Sequence, residues 1–276
     1  MMRTTISRSN RMAIAVVGAL VAPTFAVAQD LTTPAAAAQT QARAAAPTIR
    51  PGEFYAAPYV ERDGGPPNAG SIVGTGDVPG IPLTERDRPL QSYERIFITV
   101  PPGMSSAVGT RYVAVRNGPM LDGVGQVVVP TGIVVIERAQ SGQAVEARIV
   151  ARYEQMFIGD QIVSMAAAPA NLPRPVARAN GARTRVLWSE GEPVLPSLQS
   201  YLVVAGGSAS GMRPGDQITL YRERRASDEG VTLPETDIAV AQIVRVTEQA
   251  STAIVIDQTH GAIGRGTVAR VSAKMP

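Results

Sequence analysis

The sequence has no cysteine, one lysine (Lys274), one histidine (His260) and one tryptophan (Trp188). Each shortage excludes some chemistry. Without cysteine there is no disulfide framework, no thiolate nucleophile of the kind used by cell-wall transpeptidases, and no lipid anchor on a cysteine. With a single histidine, a zinc site would have to be built mostly from carboxylates, which is uncommon. The serine motifs are missing too. Residues 207–211 read Gly-Ser-Ala-Ser-Gly, which puts Ala209 where a G-x-S-x-G nucleophile would stand, and neither S-x-x-K nor H-E-x-x-H occurs. Aromatic residues are only 4% of the chain, so the core must be built mainly from Val, Ile, Leu and Ala.

What is present begins with an export signal. Arg3, Arg8 and Arg11 precede an apolar run over residues 12–22 (MAIAVVGALVA), Pro23 ends it, and Ala26-Val27-Ala28 offers small residues for cleavage before Gln29. The run is shorter than the roughly 20 residues that span a bilayer, and no later segment is long and apolar enough to do so. Residues 1–28 are therefore read as a signal peptide, with a periplasmic, extracellular or envelope-associated mature chain and no transmembrane segment in it. The signal carries three arginines and no acid, so its removal takes the net charge from +3 to zero. The high pI belongs largely to the discarded segment, and the reading is of no nucleic-acid partner.

Residues 29–50 are rich in Ala, Pro and Thr without an apolar stripe, as expected of a disordered tether. Residues 51–70 mix Pro and Gly with Phe54, Tyr55 and Tyr59, and read as irregular chain or a short strand laid on the following domain. Beyond them, short runs rich in Val, Ile and Tyr alternate with Gly, Pro, Asp and Asn clusters. Examples are residues 95–100 (RIFITV), 111–116 (RYVAVR), 125–129 (GQVVV), 133–137 (IVVIE) and 144–151 (AVEARIVA). This pattern predicts an all-β fold.

The same order of features occurs twice. Leu90-Gln91-Ser92-Tyr93 recurs as Leu198-Gln199-Ser200-Tyr201. Residues 109–116 lie over 215–222, Pro130 and Pro234 mark turns before long two-strand segments, and residues 159–163 match 266–271. We read this as a duplication: two tandem small β-barrel or sandwich modules, at 51–165 and 183–276, joined by an Ala- and Pro-rich linker at 166–182.

The second module, with Gly211-Met212-Arg213-Pro214-Gly215-Asp216, Leu233-Pro234-Glu235, the strand IAVAQIVRV and Ala250-Ser251-Thr252-Ala253, resembles the C-terminal region of exported bacterial proteins that carry an N-terminal LysM peptidoglycan-binding domain. More loosely it is similar to the C-terminal β domain of flagellar assembly protein T. The first module, with Val129-Pro130-Thr131-Gly132-Ile133 and Ile158-Gly159-Asp160, looks like the unit preceding it in the LysM proteins. The LysM unit itself is missing, which counts against direct peptidoglycan binding. The resemblance implies a non-catalytic scaffold or interaction role, with an envelope protein or peptidoglycan as partner.

Candidate side chains fit that picture. Asp160 and Asp216 follow glycines and read as turn residues. His260 reads as a loop histidine, and Trp188 as a core or inter-module packing residue. The acids Asp228, Glu229, Glu235 and Asp237 read as solvated. Tyr221, Arg222, Arg224 and Arg225 form a possible interaction surface at a charged hairpin end. No catalytic, cofactor or metal residue is assigned. The alternative function is a carbohydrate-binding module, which would require exposed aromatics such as Tyr93, Tyr112, Tyr201 and Tyr221 on one face.

Overall fold

The structure is a computed structural model that describes residues 49–62, 64–76, 88–139, 144–169, 177–178, 181–190, 198–227, 230–261 and 263–275. The proposed signal peptide, nearly all of the tether, and Asp228 and Glu229 lie outside these residues. Residues 46–276 fall in one compact unit, and it is all-β apart from short helical turns. No helix among the described residues is long and apolar enough to cross a membrane.

A short helix, α1 (Pro51–Ala56), opens the described chain and leads into β1 (Tyr59–Glu61). Then follow β2 (Gly70–Thr75), β3 (Arg95–Thr99), β4 (Arg111–Leu121), β5 (Gly125–Arg138), β6 (Ala144–Arg152) and β7 (Gln161–Ser164). Strands β2 to β7 run in the order β5-β4-β7-β2-β3-β6, and β6 pairs back onto β5 to close a six-strand barrel. Strand β1 sits outside the ring, paired with residues 126–128 of β5.

The second half contains β8 (Ala177–Arg178), β9 (Arg183–Ser189), β10 (Tyr201–Ala205), β11 (Gln217–Arg222), β12 (Arg225–Ala226), β13 (Thr232–Leu233), β14 (Thr236–Val246), β15 (Ala250–Gln258) and β16 (Val268–Lys274). Its order is β11-β14-β15-β10-β9-β16, and β11 pairs with β16 to close a second ring. Counting ring strands in chain order, both barrels read 4-3-6-1-2-5. Closure removes the exposed edges that an open sheet would leave.

Equivalent hydrogen bonds fix the correspondence. Gly109 N donates to Ile136 O, and Gly215 N to Ile243 O; Gly159 N donates to Ile72 O, and Gly266 N to Val186 O. Each of these glycines has φ between +87° and +98° and stands two residues before its strand. That left-handed conformation suits glycine. At the third such place the two barrels use Tyr93 (φ 67°) and Gln199 (φ 69°). Tyr93 N donates to Ile149 O, and Gln199 N to Val255 O. The repeated letters Leu-Gln-Ser-Tyr are thus two residues out of structural register. Leu90 is buried whereas Leu198 is exposed, and Tyr93 is exposed whereas Tyr201 is buried. The barrels share topology, and the four-letter identity adds nothing to it.

Three sequence expectations need correction. Pro130 does not mark a turn: β5 runs through it for 14 residues. The pairing shifts there, from Val115↔Pro130 to Ala114↔Gly132, so Thr131 is an extra, bulged residue. Pro130 also falls where β5 passes from β1 to β6 on its other side. A bulge is one of the few places in a sheet that tolerates a missing N–H. Pro234, by contrast, does lie between strands. Secondly, the extension is helical over residues 51–56. Pro51 opens α1, and the Glu53 carboxylate accepts from Arg50 N at 2.8 Å. Thirdly, residues 177–178, inside the expected linker, pair with β16.

Each barrel has its own apolar core. Ile72, Ile96, Ile98, Val134, Ile136 and Ile149 are central in the first, and Val186, Leu202, Ile218, Leu220, Ile243 and Val255 in the second. The extension packs on both. Ile49 and Ala57 join Tyr201, Val244 and Ile254 of the second barrel, while Tyr59 joins Val113, Val115 and Val128 of the first. Side-chain bonds reinforce it: Tyr201 OH donates to Glu53 O at 3.0 Å, and Thr252 Oγ1 donates to Pro58 O.

Barrel closure depends on close backbone approach at Gly70, where a Cβ would stand 1.9 Å from Thr99 O. Gly70→Ala is expected to destabilise the protein by about 3 kcal/mol, because strands β2 and β3 would have to separate. Urea unfolding followed by circular dichroism measures this. A loss below about 1 kcal/mol would contradict the packing described.

Candidate functional site

The acids that invited a catalytic reading are consumed by turns. Asp216 is fully buried and accepts from Arg213 N at 3.0 Å and Met275 N at 2.8 Å, with Lys274 Nζ at 3.4 Å. Asp160 accepts from Phe157 N at 3.1 Å and Arg116 Nε at 3.2 Å. Glu235 pairs with Arg270, Asp237 is exposed, and His260 lies in an exposed loop. Among the described residues no three His, Asp or Glu side chains are grouped as a metal site would need.

The proposed surface around Tyr221 is divided by the fold. Tyr221 is 1% exposed, so it contributes nothing to a surface. Its ring lies beneath the guanidinium groups of Arg270 (4.2 Å) and Arg183 (5.8 Å), which are themselves paired with Glu235 and Glu223. Arg224 and Arg225 are exposed at the β12–β13 hairpin, and Arg222 is half-buried. The repeated tyrosines do not form an aromatic face either: Tyr112, Tyr201 and Tyr221 are buried and only Tyr93 is exposed.

A more structured site lies where the extension meets both barrels. A groove of about 320 Å³ is walled by Phe54, Tyr55, Tyr59 and Glu61 of the extension and by the proline pairs Pro66-Pro67 and Pro101-Pro102. Val113 and Val163 of the first barrel, Arg245 of the second, and Asn68, Ala69 and Met104 from the connecting segments also line it. The Arg245 guanidinium carbon is 3.6 Å from the centroid of the Tyr59 ring and 5.3 Å from that of Phe54. This is close cation–π geometry. No ion pair joins Arg245 to an acid among the described residues. Burial lowers its pKa, an effect offset in part by Tyr59 and Glu61. Burial in turn raises the pKa of Tyr59, against the pull of Arg245.

Strand β7 pairs with β4 along its whole length, but with β2 only at Gln161 and Ile162. Val163 and Ser164, at the end of β7, line the groove together with Asn68 and Ala69, which lead into β2. Sequence reasoning missed the site because its walls come from distant segments. The one local signal was the cluster Phe54, Tyr55 and Tyr59 in an aromatic-poor chain.

A second polar feature sits at the barrel junction. The Glu190 carboxyl is pushed up to about 7, first by burial and then by the nearby Glu154. Tyr201 is raised as well, by burial and then by Glu190 and Glu53. An acid whose folded pKa exceeds its unfolded value binds more protons in the native state. Its contribution is present in full below about 4.5 and is lost as the pH rises through about 7. Stability is therefore expected to fall between pH 5 and pH 8. Glu190→Gln should flatten that fall and gain about 1 kcal/mol at pH 8, a figure discounted for partial solvent access. Thermal unfolding of both proteins across this range checks it; an unchanged pH profile in the variant would contradict it.

No protein-family model matches this chain, and a search of curated proteins finds no match.

Proposed function

We propose that this chain is an exported, non-catalytic interaction protein of the bacterial cell envelope, acting on an envelope protein or at peptidoglycan. The observation that carries the reading is the signal-peptide pattern of residues 1–28, with its three arginines, apolar run and Ala-Val-Ala site. The resemblance to the β modules of exported LysM proteins supports it by analogy, since fold does not determine function. Further support comes from the two buried aspartates, whose oxygens serve turn amides and neighbouring cations.

The alternative, a module that stacks sugars on aromatic faces, is less well supported. The faces of Tyr59 and Phe54 are already met by Arg245, and Tyr55 is engaged edge-on with Phe54 at 5.4 Å. The test is a crosslinking pull-down of the tagged full-length chain from native envelopes. Enrichment of a specific envelope component is expected, and recovery of none would contradict the reading. Strong pelleting of the purified protein with peptidoglycan alone would favour the sugar-binding alternative.

A further inference from the structure

We propose that the N-terminal extension is a clasp that holds the two barrels together, and that Glu190 at its foot makes the clasp tight in acid and looser once the carboxyl ionises. The inference concerns the fold and holds in any compartment.

Connectivity is the first argument. Each barrel is a closed ring with its own apolar core, so neither needs the other to complete its sheet. The extensive contacts between the halves run through the extension: α1 touches β5 and β14, and β1 touches β5 and β15. Strand β1 pairs with residues 126–128 of the first barrel, while Thr252 Oγ1 of the second donates to Pro58 O, just before β1. Arg62, just after β1, pairs with Glu248 at 3.0 Å. Even the apolar cluster around Trp188 includes Val60 of β1. Lifting the extension therefore removes contacts to both barrels at once.

The second argument is the cluster of groups at the foot of the clasp. Tyr201 OH donates to Glu53 O of α1 at 3.0 Å, and Tyr201 O accepts from Glu190 N at 3.1 Å. Glu190 follows β9 of the second barrel. Glu154 follows β6 of the first, where Tyr153 N and Glu154 N both donate to Thr131 O. The groups that face Glu190 are Tyr201 and Glu154, and Tyr201 faces Glu53 and Tyr153 in turn. All are acids or phenols. No arginine or lysine is ion-paired with Glu53, Glu154 or Glu190 among the described residues. An ionised Glu190 gains hydration and distance from Glu154 when the junction parts.

The sign follows from linkage. With the clasp closed, burial and then Glu154 push the Glu190 carboxyl up to about 7; released to water it returns toward its ordinary 4.5. The closed form binds the proton more tightly, so closure weakens as the pH rises from 4.5 through 7. Discounted for partial solvent access, the change between pH 5 and pH 8 is about tenfold.

The test is hydrogen–deuterium exchange of the purified full-length chain at pH 5 and pH 8, with each rate divided by the intrinsic rate at that pH. Amides of residues 59–61 and 126–128 report the clasp. Ile136 N and Ile243 N, bonded to Thr110 O and Asp216 O, report the two barrels. The clasp amides are expected to open more often than the barrel amides, and about tenfold more often at pH 8 than at pH 5. Glu190→Gln should remove this pH dependence. Glu154→Gln, a change at an exposed position, should reduce it and serves if the first variant does not fold. Clasp amides as well protected as the barrel amides would show that the barrels part only on global unfolding, and would overturn the proposal. Equal clasp opening at the two pH values, or a pH dependence left unchanged by these variants, would overturn it as well.

Discussion

Trp188→Ala is expected to cost about 3–5 kcal/mol of stability, the largest effect of any single change considered for this protein. Trp188 is 8% exposed and belongs to an apolar cluster with one side from each barrel. Val60, Leu121 and Val127 come from β1 and the β4–β5 hairpin; Trp188, Val203 and Ala250 come from the second barrel. Truncation removes the largest side chain from that junction and leaves a cavity that two closed barrels cannot collapse to fill. The loss should therefore appear as weakened docking of the barrels, with their separate cores retained. Circular dichroism in urea measures the total, and Trp188 is the only tryptophan, so its fluorescence in the unmodified protein reports the junction alone. A blue-shifted emission that moves red in one step with global unfolding is expected. A loss below about 1 kcal/mol on truncation would show that the junction contributes little.

Asp216→Ala should cost about 3 kcal/mol, through a different mechanism. The carboxylate is completely buried at the turn before β11 and accepts two backbone N–H groups, one from Arg213 and one from Met275. Removing it strands both donors away from water and leaves Lys274, 3.4 Å away, without its acid. The Met275 bond ties the C-terminal end of the chain to this turn, so fraying after β16 should accompany the loss. Amide hydrogen exchange at residues 268–275 reads that directly. Lys274→Met is the control. Its ammonium is partly exposed, so a change of less than about 1 kcal/mol is expected. If the two variants were equally destabilised, the ion pair rather than the turn would be the stabilising element.

Much of the fold was legible because strands leave a strong mark on sequence. The run RIFITV at 95–100 became β3 with one residue trimmed, and residues 109–116 and 215–222 entered their barrels at equivalent hydrogen bonds. Glycine turns were legible because a left-handed residue two places before a strand is a local requirement. The match of four letters at Leu90 and Leu198 misled for the opposite reason. It compared side chains where backbone geometry decides equivalence, and Gln199 does the work of Tyr93. Helix α1 was missed because six residues are too few for a periodic stripe, although Pro51 and Glu53 are ordinary helix-start signals. Pro130 was misread because a bulge cannot be told from a turn by composition.

The site was less legible than the fold. Trp188 was correctly read as a packing residue, but Tyr221 was placed on a surface when two arginines cover it. The groove joins Phe54, Pro101, Val163 and Arg245, which no local motif connects. Only closure of both barrels around the extension brings them together.

The proposed export of this protein is tested most directly by the fate of its first 28 residues. The full-length gene product should be expressed with a C-terminal tag, the cells fractionated, and the intact mass of the purified protein measured. The account expects a chain beginning at Gln29 in the periplasmic or envelope fraction. A chain that keeps residues 2–28 and remains in the cytoplasm would contradict it.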